Sequence, residues 1–191
     1  MKVVAVNGSP RRSGNTARLL KEITSMAEAM GAEVKYYDLV DLEVEDCRAC
    51  HQCGKTGTCS IDDSMTGVRE DIQKADFLVL ASPVYMGAET GIMKCFADRL
   101  YAFFEPTGVR GKYTSRLKPG KKGFVFFTCG MSDGDKVFNN LNIRYFDLLA
   151  NMLAFDDVRT FIVPGANPTV DIRTSPRAKE MLAEAKRFLG A

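Results

Sequence analysis

The chain has 191 residues, 46% of them hydrophobic, with 26 basic against 24 acidic side chains and a net charge of +2. That length suits one well-buried core and is short for two, so a single domain over residues 1–191 is expected. So balanced a charge gives no argument for nucleic acid or an anionic membrane surface, and no apolar run approaches bilayer length; with no leader-like segment ahead of Lys2, a cytoplasmic, reducing setting is expected.

Val3 to Val6 reads as a first strand, and Thr16 to Met30 as a helix with Leu19, Ile23, Met26 and Met30 at helical spacing and Gly31 as its stop. Val34 to Leu39 alternates, with Lys35 and Asp38 among apolar residues, as an exposed edge strand does. Met65, Val68, Ile72 and Ala75 mark a second helix with Asp63 as its cap. Phe77 to Ala81 and Phe124 to Phe127 are continuous apolar runs, the pattern of central strands covered on both faces. Between them Ile92, Met93, Phe96 and Leu100 pattern a third helix, and Phe138, Leu141, Tyr145, Leu148, Leu149 and Met152 a fourth. The last strand is Thr160 to Val163, and the last helix opens with Ser175 as cap and Pro176 in its first turn.

Strands alternating with helices predict an α/β fold: a flavodoxin-like, doubly wound, five-stranded parallel sheet. The polar second strand belongs at an edge, which gives the order 2-1-3-4-5. Ligands of such a sheet bind at the carboxyl ends of the strands, near the switch point between strands 1 and 3.

The connection after the second strand carries Cys47, Cys50, Cys53 and Cys59 in a C-x2-C-x2-C-x5-C run, a cluster-binding insertion over about residues 44–62. Three thiolates two residues apart can wrap one face of an inorganic cube, and the Gly54 to Thr58 segment is long enough for Cys59 to reach the remaining corner. Structural zinc remains an alternative, although its cysteine pairs are ordinarily set well apart in sequence, and so does a C-x-x-C redox disulfide, which would leave two thiols unexplained. His51 inside the run stays unassigned. Cys95 and Cys129 read as small buried hydrophobes.

Directly after the first strand, Asn7-Gly8-Ser9-Pro10-Arg11-Arg12-Ser13-Gly14-Asn15-Thr16 combines glycines, hydroxyls and an amide at a helix start whose N–H groups are unpaired. It reads as a phosphate site, with a merely polar connection as the alternative, and it matches neither a dinucleotide fingerprint nor a P-loop. One of Arg11 and Arg12 is expected to face outward. Loops 82–87 and 128–134 fall on the same sheet edge, where backbone N–H groups and the side chains of Tyr85 or Met86 could flank a flat ring.

Together these residues resemble the NAD(P)H-dependent FMN reductase superfamily, whose phosphate loop is like Gly8 to Thr16 and whose P-x-Y loop is like Pro83 to Tyr85. With the cysteine run added, the whole chain resembles the iron-sulfur flavoproteins of archaea and anaerobic bacteria. The resemblance implies a [4Fe-4S] cluster on Cys47, Cys50, Cys53 and Cys59, and FMN over Ser9, Arg11, Ser13, Asn15 and Thr16 with its ring at Pro83, Val84, Tyr85, Met86 and Gly87. It further implies ferredoxin as electron donor, a small acceptor such as dioxygen or peroxide, and a homodimer or homotetramer; no catalytic side chain is nominated.

Two other functions stay open: a NAD(P)H-dependent FMN, quinone or nitro reductase with structural cysteines, and a non-enzymatic, redox-sensing flavin binder. The stretch from residue 105 to 135 matches no motif, so roles for Cys129 and Asp133 are open. Its basic segment, Arg110, Lys112, Arg116, Lys118, Lys121 and Lys122, could steer an acidic donor or be a solvated loop. Phe103 and Phe104 are expected either at a partner contact or in the core.

Overall fold

The computed structural model describes residues 1–109, 112–136, 138, 141, 144, 145 and 147–190. In chain order the main elements are β1 (Lys2–Asn7), α1 (Asn15–Ala29), β2 (Glu33–Asp38), the short α2 (Gln52–Thr56), α3 (Met65–Lys74) and β3 (Phe77–Pro83). There follow α4 (Gly91–Arg99), β4 (Phe104–Pro106), β5 (Tyr113–Ser115), β6 (Lys122–Thr128), β7 (Asp157–Val163) and α5 (Pro176–Gly190). Five strands pair in parallel in the order β2-β1-β3-β6-β7, the expected flavodoxin-like winding. The register runs across the sheet from Tyr36 through Ala5, Val79 and Phe124 to Arg159.

Alternate residues of each central strand enter opposite cores, as the two-residue period of a strand requires. Val4, Val6, Leu78, Leu80, Val125 and Phe127 pack with Met65, Ile72, Met93, Phe96 and Leu149 on one face. Val3, Val79, Phe124 and Phe126 pack with Leu19, Ile23, Met181 and Phe188 on the other. Burying each such large side chain is worth about 1.5–3 kcal/mol, and both faces of β1, β3 and β6 gain it. That is why those strands carry no polar alternation.

The structure departs from the sequence-based expectation in two places. β4 and β5 form an antiparallel two-stranded ribbon outside the main sheet, in the stretch that matched no motif. Among the described residues of the predicted fourth helix, Leu148 N–H donates to Arg144 O at 3.1 Å, and Asp147–Met152 is π-helical, with Leu153 N–H donating to Leu148 O at 2.9 Å; positions 137, 139, 140, 142, 143 and 146 lie outside the described residues. The wider turn seats Leu149 over Gly123, where a Cβ would stand 2.9 Å from Leu149 Cδ1, so the sheet offers a notch and the helix is deformed into it. Phe103 and Phe104, left open between a partner contact and the core, are buried in the core.

Candidate functional site

At the end of β1 the chain turns sharply because Gly8 N–H donates to Ala81 O at 2.7 Å and Gly8 O accepts from Thr90 Oγ1 at 2.7 Å. A side chain at Gly8 would stand 2.8 Å from Met93 Cβ, so only glycine permits this approach of loop, strand and helix. Asn7 Oδ1 accepts from Ser9 N, and Ser9 Oγ accepts from Arg11 N at 3.1 Å and donates to Arg11 O at 3.2 Å. Thr16 Oγ1 shares a proton with Thr128 Oγ1 at 2.7 Å, and Asn15 Nδ2 donates to Asn167 O at 2.8 Å. The side chains of Ser9, Asn15 and Thr16, all buried, therefore bond the protein itself: they shape the loop, and their backbone groups and neighbours meet any anion.

What remains open is a cleft of about 170 Å³ lined by Arg11, Ser13, Gly14, Asn15, Arg18 and Pro168. Gly14, at the cap of α1, has no side chain to occupy the first-turn N–H groups, and no acidic residue lies in that turn. A helix start left this way is electropositive and donor-rich. Arg11 faces the cleft, whereas Arg12 pairs outward with Asp41. Arg18 and the loop after β7 went unrecognised in the sequence; the signal for Arg18 is its place one turn beyond Gly14 on the same helical face.

The predicted ring loop forms a tight reversal closed by Tyr85 N–H to Ala88 O at 2.8 Å and Ala88 N–H to Tyr85 O at 3.1 Å. Met86 and Gly87 both hold positive φ, at 50° and 85°, the conformation of a type I′ turn. Met86 has a β-carbon and is strained there; its side chain stands wholly in solvent, with Tyr85 half exposed beside it. Val84 N–H donates to Thr128 O at 2.7 Å, which locks this turn to the end of β6. Loops 8–16, 82–88 and 128–131 thus meet at one sheet edge. Asp133 is exposed, and Cys129 is buried with its thiol pushed up by burial.

The cysteine run lies toward the C-terminal end of α4, whose Arg99 donates to Glu45 O and Ile61 O. Cys47, Cys50, Cys53 and Cys59 all line one cavity of about 310 Å³, together with Arg48, Ala49, His51, Ser60, Ile61, Asp98 and Tyr101. Ala49 and His51 hold positive φ, at 49° and 57°, so the backbone between successive cysteines is wound into the left-handed region at a cost of order 1–3 kcal/mol each. Burial, then the charges of Cys59 and Cys47, raise the Cys53 thiol; a hydrogen bond with Ser60 Oγ at 3.3 Å, then the Gln52 amide, lower Cys50. Among the described residues, no three His, Cys, Asp or Glu side chains gather closely enough to hold one metal ion. His51 meets Tyr101 edge-on, with ring centroids 6.1 Å apart, and Tyr101 packs in turn on Phe104 and Tyr113 of the ribbon.

A buried ion pair holds the base of this loop. Arg99, at the end of α4, donates to Asp63 Oδ2 at 2.7 Å and Oδ1 at 3.0 Å, to Glu45 O at 2.9 Å and to Ile61 O at 3.4 Å. Asp63 also accepts from the Glu45 and Met65 amides, each at 3.0 Å. Burial alone would raise the Asp63 carboxyl, yet the Arg99 and amide hydrogen bonds outweigh it and hold the pKa below its usual value. The expected helix cap is thus chiefly the arginine's partner. Nearby, Arg116 donates to Gly54 O at 3.1 Å and Phe104 O at 3.1 Å, tying the ribbon to the cysteine loop. Cys95 is no inert hydrophobe: its thiol donates to Asp46 Oδ1 at 2.7 Å, and burial followed by that bond pushes its pKa up to about 11.

The basic segment is only in part a surface field. Lys121 is buried and donates to Ile72 O and Gln73 O at 3.0 Å and to Ala75 O, satisfying the last carbonyls of α3. Lys122 rests over the Phe188 ring. Lys112 and Lys118 are exposed; Arg110 lies outside the described residues. No helix among the described residues is long and apolar enough to cross a membrane.

Comparison with known proteins agrees with this geometry. The family model of the NADPH-dependent FMN reductases matches residues 1–153. A curated iron-sulfur flavoprotein of Archaeoglobus fulgidus is 33% identical over 185 residues, which are 97% of this chain and 80% of that protein. One from Methanocaldococcus jannaschii is 35% identical over 99 residues, 52% of this chain and 51% of that protein, and another A. fulgidus match spans 48% of its length. The match thus covers about half the length of the first curated relatives. The FMN-bound, FMN-dependent NADH-azoreductase of Bacillus anthracis superposes with a TM-score of 0.73 at 15% identity, covering 99% of this chain and 100% of that one. For the NAD(P)H:quinone oxidoreductase of Methanothermobacter marburgensis the TM-score is 0.71 at 18% identity, covering 98% and 93%. The chain belongs to the NADPH-dependent FMN reductase family and, within it, to the iron-sulfur flavoproteins.

Proposed function

We propose that this member of the iron-sulfur flavoproteins is an FMN-dependent oxidoreductase that takes electrons from ferredoxin onto a cluster held by Cys47, Cys50, Cys53 and Cys59 and delivers them through FMN to a small acceptor such as dioxygen or peroxide. The observation that carries it is the convergence of all four cysteines on one cavity while the anion-ready cleft lies at the sheet edge, on a separate set of loops. The donor set suits the group: four thiols around a space larger than one ion needs, backed by Tyr101 and Ile61 and edged by Arg48, His51, Ser60 and Asp98. When bound, the cluster would pass single electrons and FMN would hold one or two, so together they join a one-electron donor to a two-electron acceptor.

The chain's own residues bind and orient. Arg11, Ser13, Arg18 and the first-turn amides of α1 would hold the FMN phosphate, and Ser9, Asn15 and Thr16 keep that loop in shape through Arg11, Asn167 and Thr128. The 85–88 reversal, pinned by Val84, would seat the ring against exposed backbone and the Tyr85 and Met86 side chains. No acid, base or nucleophile is required for electron passage, and none is assigned. Dimeric or tetrameric assembly belongs to the same proposal.

Oxygen-free purification followed by iron, sulfide and flavin analysis tests this reading: a brown, flavin-containing protein supports it, and a colourless one that takes up no FMN overturns it. A nicotinamide-driven FMN, quinone or nitro reductase is the second reading, favoured by the match to the reductase family over residues 1–153. Steady-state turnover with NADPH against reduced ferredoxin separates the two, since fast turnover with nicotinamide alone selects the second.

A further inference from the structure

The cysteine cavity adjoins a second space. A groove of about 330 Å³ opens on the ribbon of β4 and β5, lined by His51, Tyr101, Pro106, Val109, Lys112 and Tyr113, and His51 and Tyr101 also line the cavity of the four cysteines. Those two side chains are common to both walls. Tyr113 meets Tyr101 at 5.9 Å between ring centroids and is half exposed, as is Val109. Helix α2 joins the same face: a Cβ on Gly54 would stand 3.5 Å from Pro106 Cγ, and Arg116 donates to Gly54 O. The free charge here is positive. Lys55, next to Gly54, and Lys112 are exposed with no carboxylate paired to either among the described residues, whereas Glu105 of the ribbon is already engaged by Arg116 at 3.0 Å. The segment that enters the cysteine run is opposite in sign, with Glu43, Glu45 and Asp46 exposed and, of the three, only Glu45 meeting a cation, Arg48.

We propose that this groove is the docking surface for an acidic one-electron carrier, a ferredoxin, which seats apolar contacts on Val109 and Tyr113 and carboxylates on Lys55 and Lys112. The inference rests on the ferredoxin reading above and adds to it the place and register of contact. An aromatic anchor inside a charged rim is the anatomy of a protein interface, and electron-transfer encounters bury little, below about 1,200 Å² in total, so a compact groove suffices. Charge complementarity sets the orientation: the two lysines draw an acidic carrier to the ribbon, while Glu43 and Asp46 repel it from the other approach. Tunnelling falls steeply with distance, and a carrier seated against His51 and Tyr101 stands next to the space that the thiols line. In the step itself one electron leaves the reduced ferredoxin, which is oxidised, and enters the centre held by the four cysteines, which is reduced; no bond is made or broken.

Two measurements test this on protein loaded with iron, sulfide and FMN. In the first, an oxidised two-cluster bacterial ferredoxin is added at low ionic strength and backbone hydrogen exchange is followed. Slower exchange over α2, β4 and β5 is expected. Its absence at ferredoxin concentrations that sustain turnover overturns the proposal, and so does protection that appears on concentrating the chain without ferredoxin, which would seat a second copy in the groove. The second measurement is stopped-flow reduction by reduced ferredoxin in Lys55→Glu with Lys112→Glu, compared with Lys179→Glu and Lys186→Glu, exposed lysines of α5 on the other face of the sheet that give the same change of net charge. The groove variant should be slowed about tenfold at low salt and rejoin the wild type near 1 M salt, where screening acts over about 3 Å, with the α5 variant close to wild type throughout. Equal slowing in both variants, or none in the groove variant, refutes the docking site. Loaded wild-type protein that reduced ferredoxin fails to reduce overturns the ferredoxin reading and this inference with it. The exchange measurement uses the unaltered chain, so it decides the matter even where a variant loses its cluster.

Discussion

Replacing Asp63 by alanine removes the acceptor of two Arg99 bonds, at 2.7 and 3.0 Å, and of the Glu45 and Met65 amides, each at 3.0 Å. The guanidinium then stays buried with only the carbonyls of Glu45 and Ile61 as partners. Breaking a buried pair on one side costs about 3–5 kcal/mol because the surviving charge is uncompensated. A chain of this size loses about 2–4 °C of Tm per kcal/mol, so the fall should be roughly 6–20 °C, read by circular dichroism. Hydrogen exchange should accelerate first over residues 44–62, whose two ends the pair clamps. The pH dependence has a defined sign: the Asp63 pKa is depressed on folding, so its stabilisation is complete above the ordinary carboxylate pKa and is lost as pH falls through the lower, folded value. Asp63→Asn should therefore flatten the acid limb of the stability curve. A Tm change under about 2 °C for Asp63→Ala would show that the pair is not clamping the loop.

Arg11→Ala and Arg18→Ala should each weaken FMN binding about 5- to 30-fold, from roughly 1–2 kcal/mol per charge-assisted bond, measured by quenching of flavin fluorescence; wild-type affinity in both would remove the cleft as the phosphate site. Cys50→Ala should lose the broad iron-sulfur absorption yet retain FMN, because the two sites use different loops; loss of both on one folded sample contradicts that separation. Gly8→Ala should cost about 1–3 kcal/mol in chemical denaturation, since the new Cβ would stand 2.8 Å from Met93 Cβ and Cε. Lys121→Met should destabilise by a similar amount, leaving α3 carbonyls without their donor, and should leave the salt dependence of donor reactions to exposed Lys118.

The sheet was legible because its signal is local: Phe77 to Ala81 and Phe124 to Phe127 are apolar throughout, and the polar β2 lies at the edge where Lys35 and Asp38 suggested it. The meeting of loops 8–16 and 82–88 at one edge followed from topology alone. What failed to show was whatever depends on distant partners. Arg99 and Lys121 look like surface cations in sequence, and only the fold reveals that Asp63 and the α3 carbonyls bury them. Ser9 and Thr16 have the composition of phosphate ligands, but their hydroxyls are occupied by Arg11 and Thr128. Met86 gave no sign of its positive φ, since glycine is the residue that advertises that conformation.

Helix α4 joins the two candidate sites mechanically. At its start Thr90 Oγ1 accepts from Met93 N at 3.3 Å as a cap and donates to Gly8 O, so the same hydroxyl fixes the helix and the first turn of the phosphate loop. At its end Arg99 grips both flanks of the cysteine loop. At 1.5 Å per residue, the nine steps from Thr90 to Arg99 fix these anchors about 13 Å apart along one rigid axis. Two groups bound as proposed would not drift independently, because a shift of either loop must deform a helix packed through Met93, Phe96 and Leu100 into the core. The separation of the proposed cofactors within one chain is thus a property of α4, and the strained Ala49, His51 and Met86 lie in the loops toward its two ends. Of the four non-glycine residues at positive φ among the described residues, Ala154 lies elsewhere and the other three lie in those loops, a bias of the kind expected when local conformational energy is given up for the placement of bound groups.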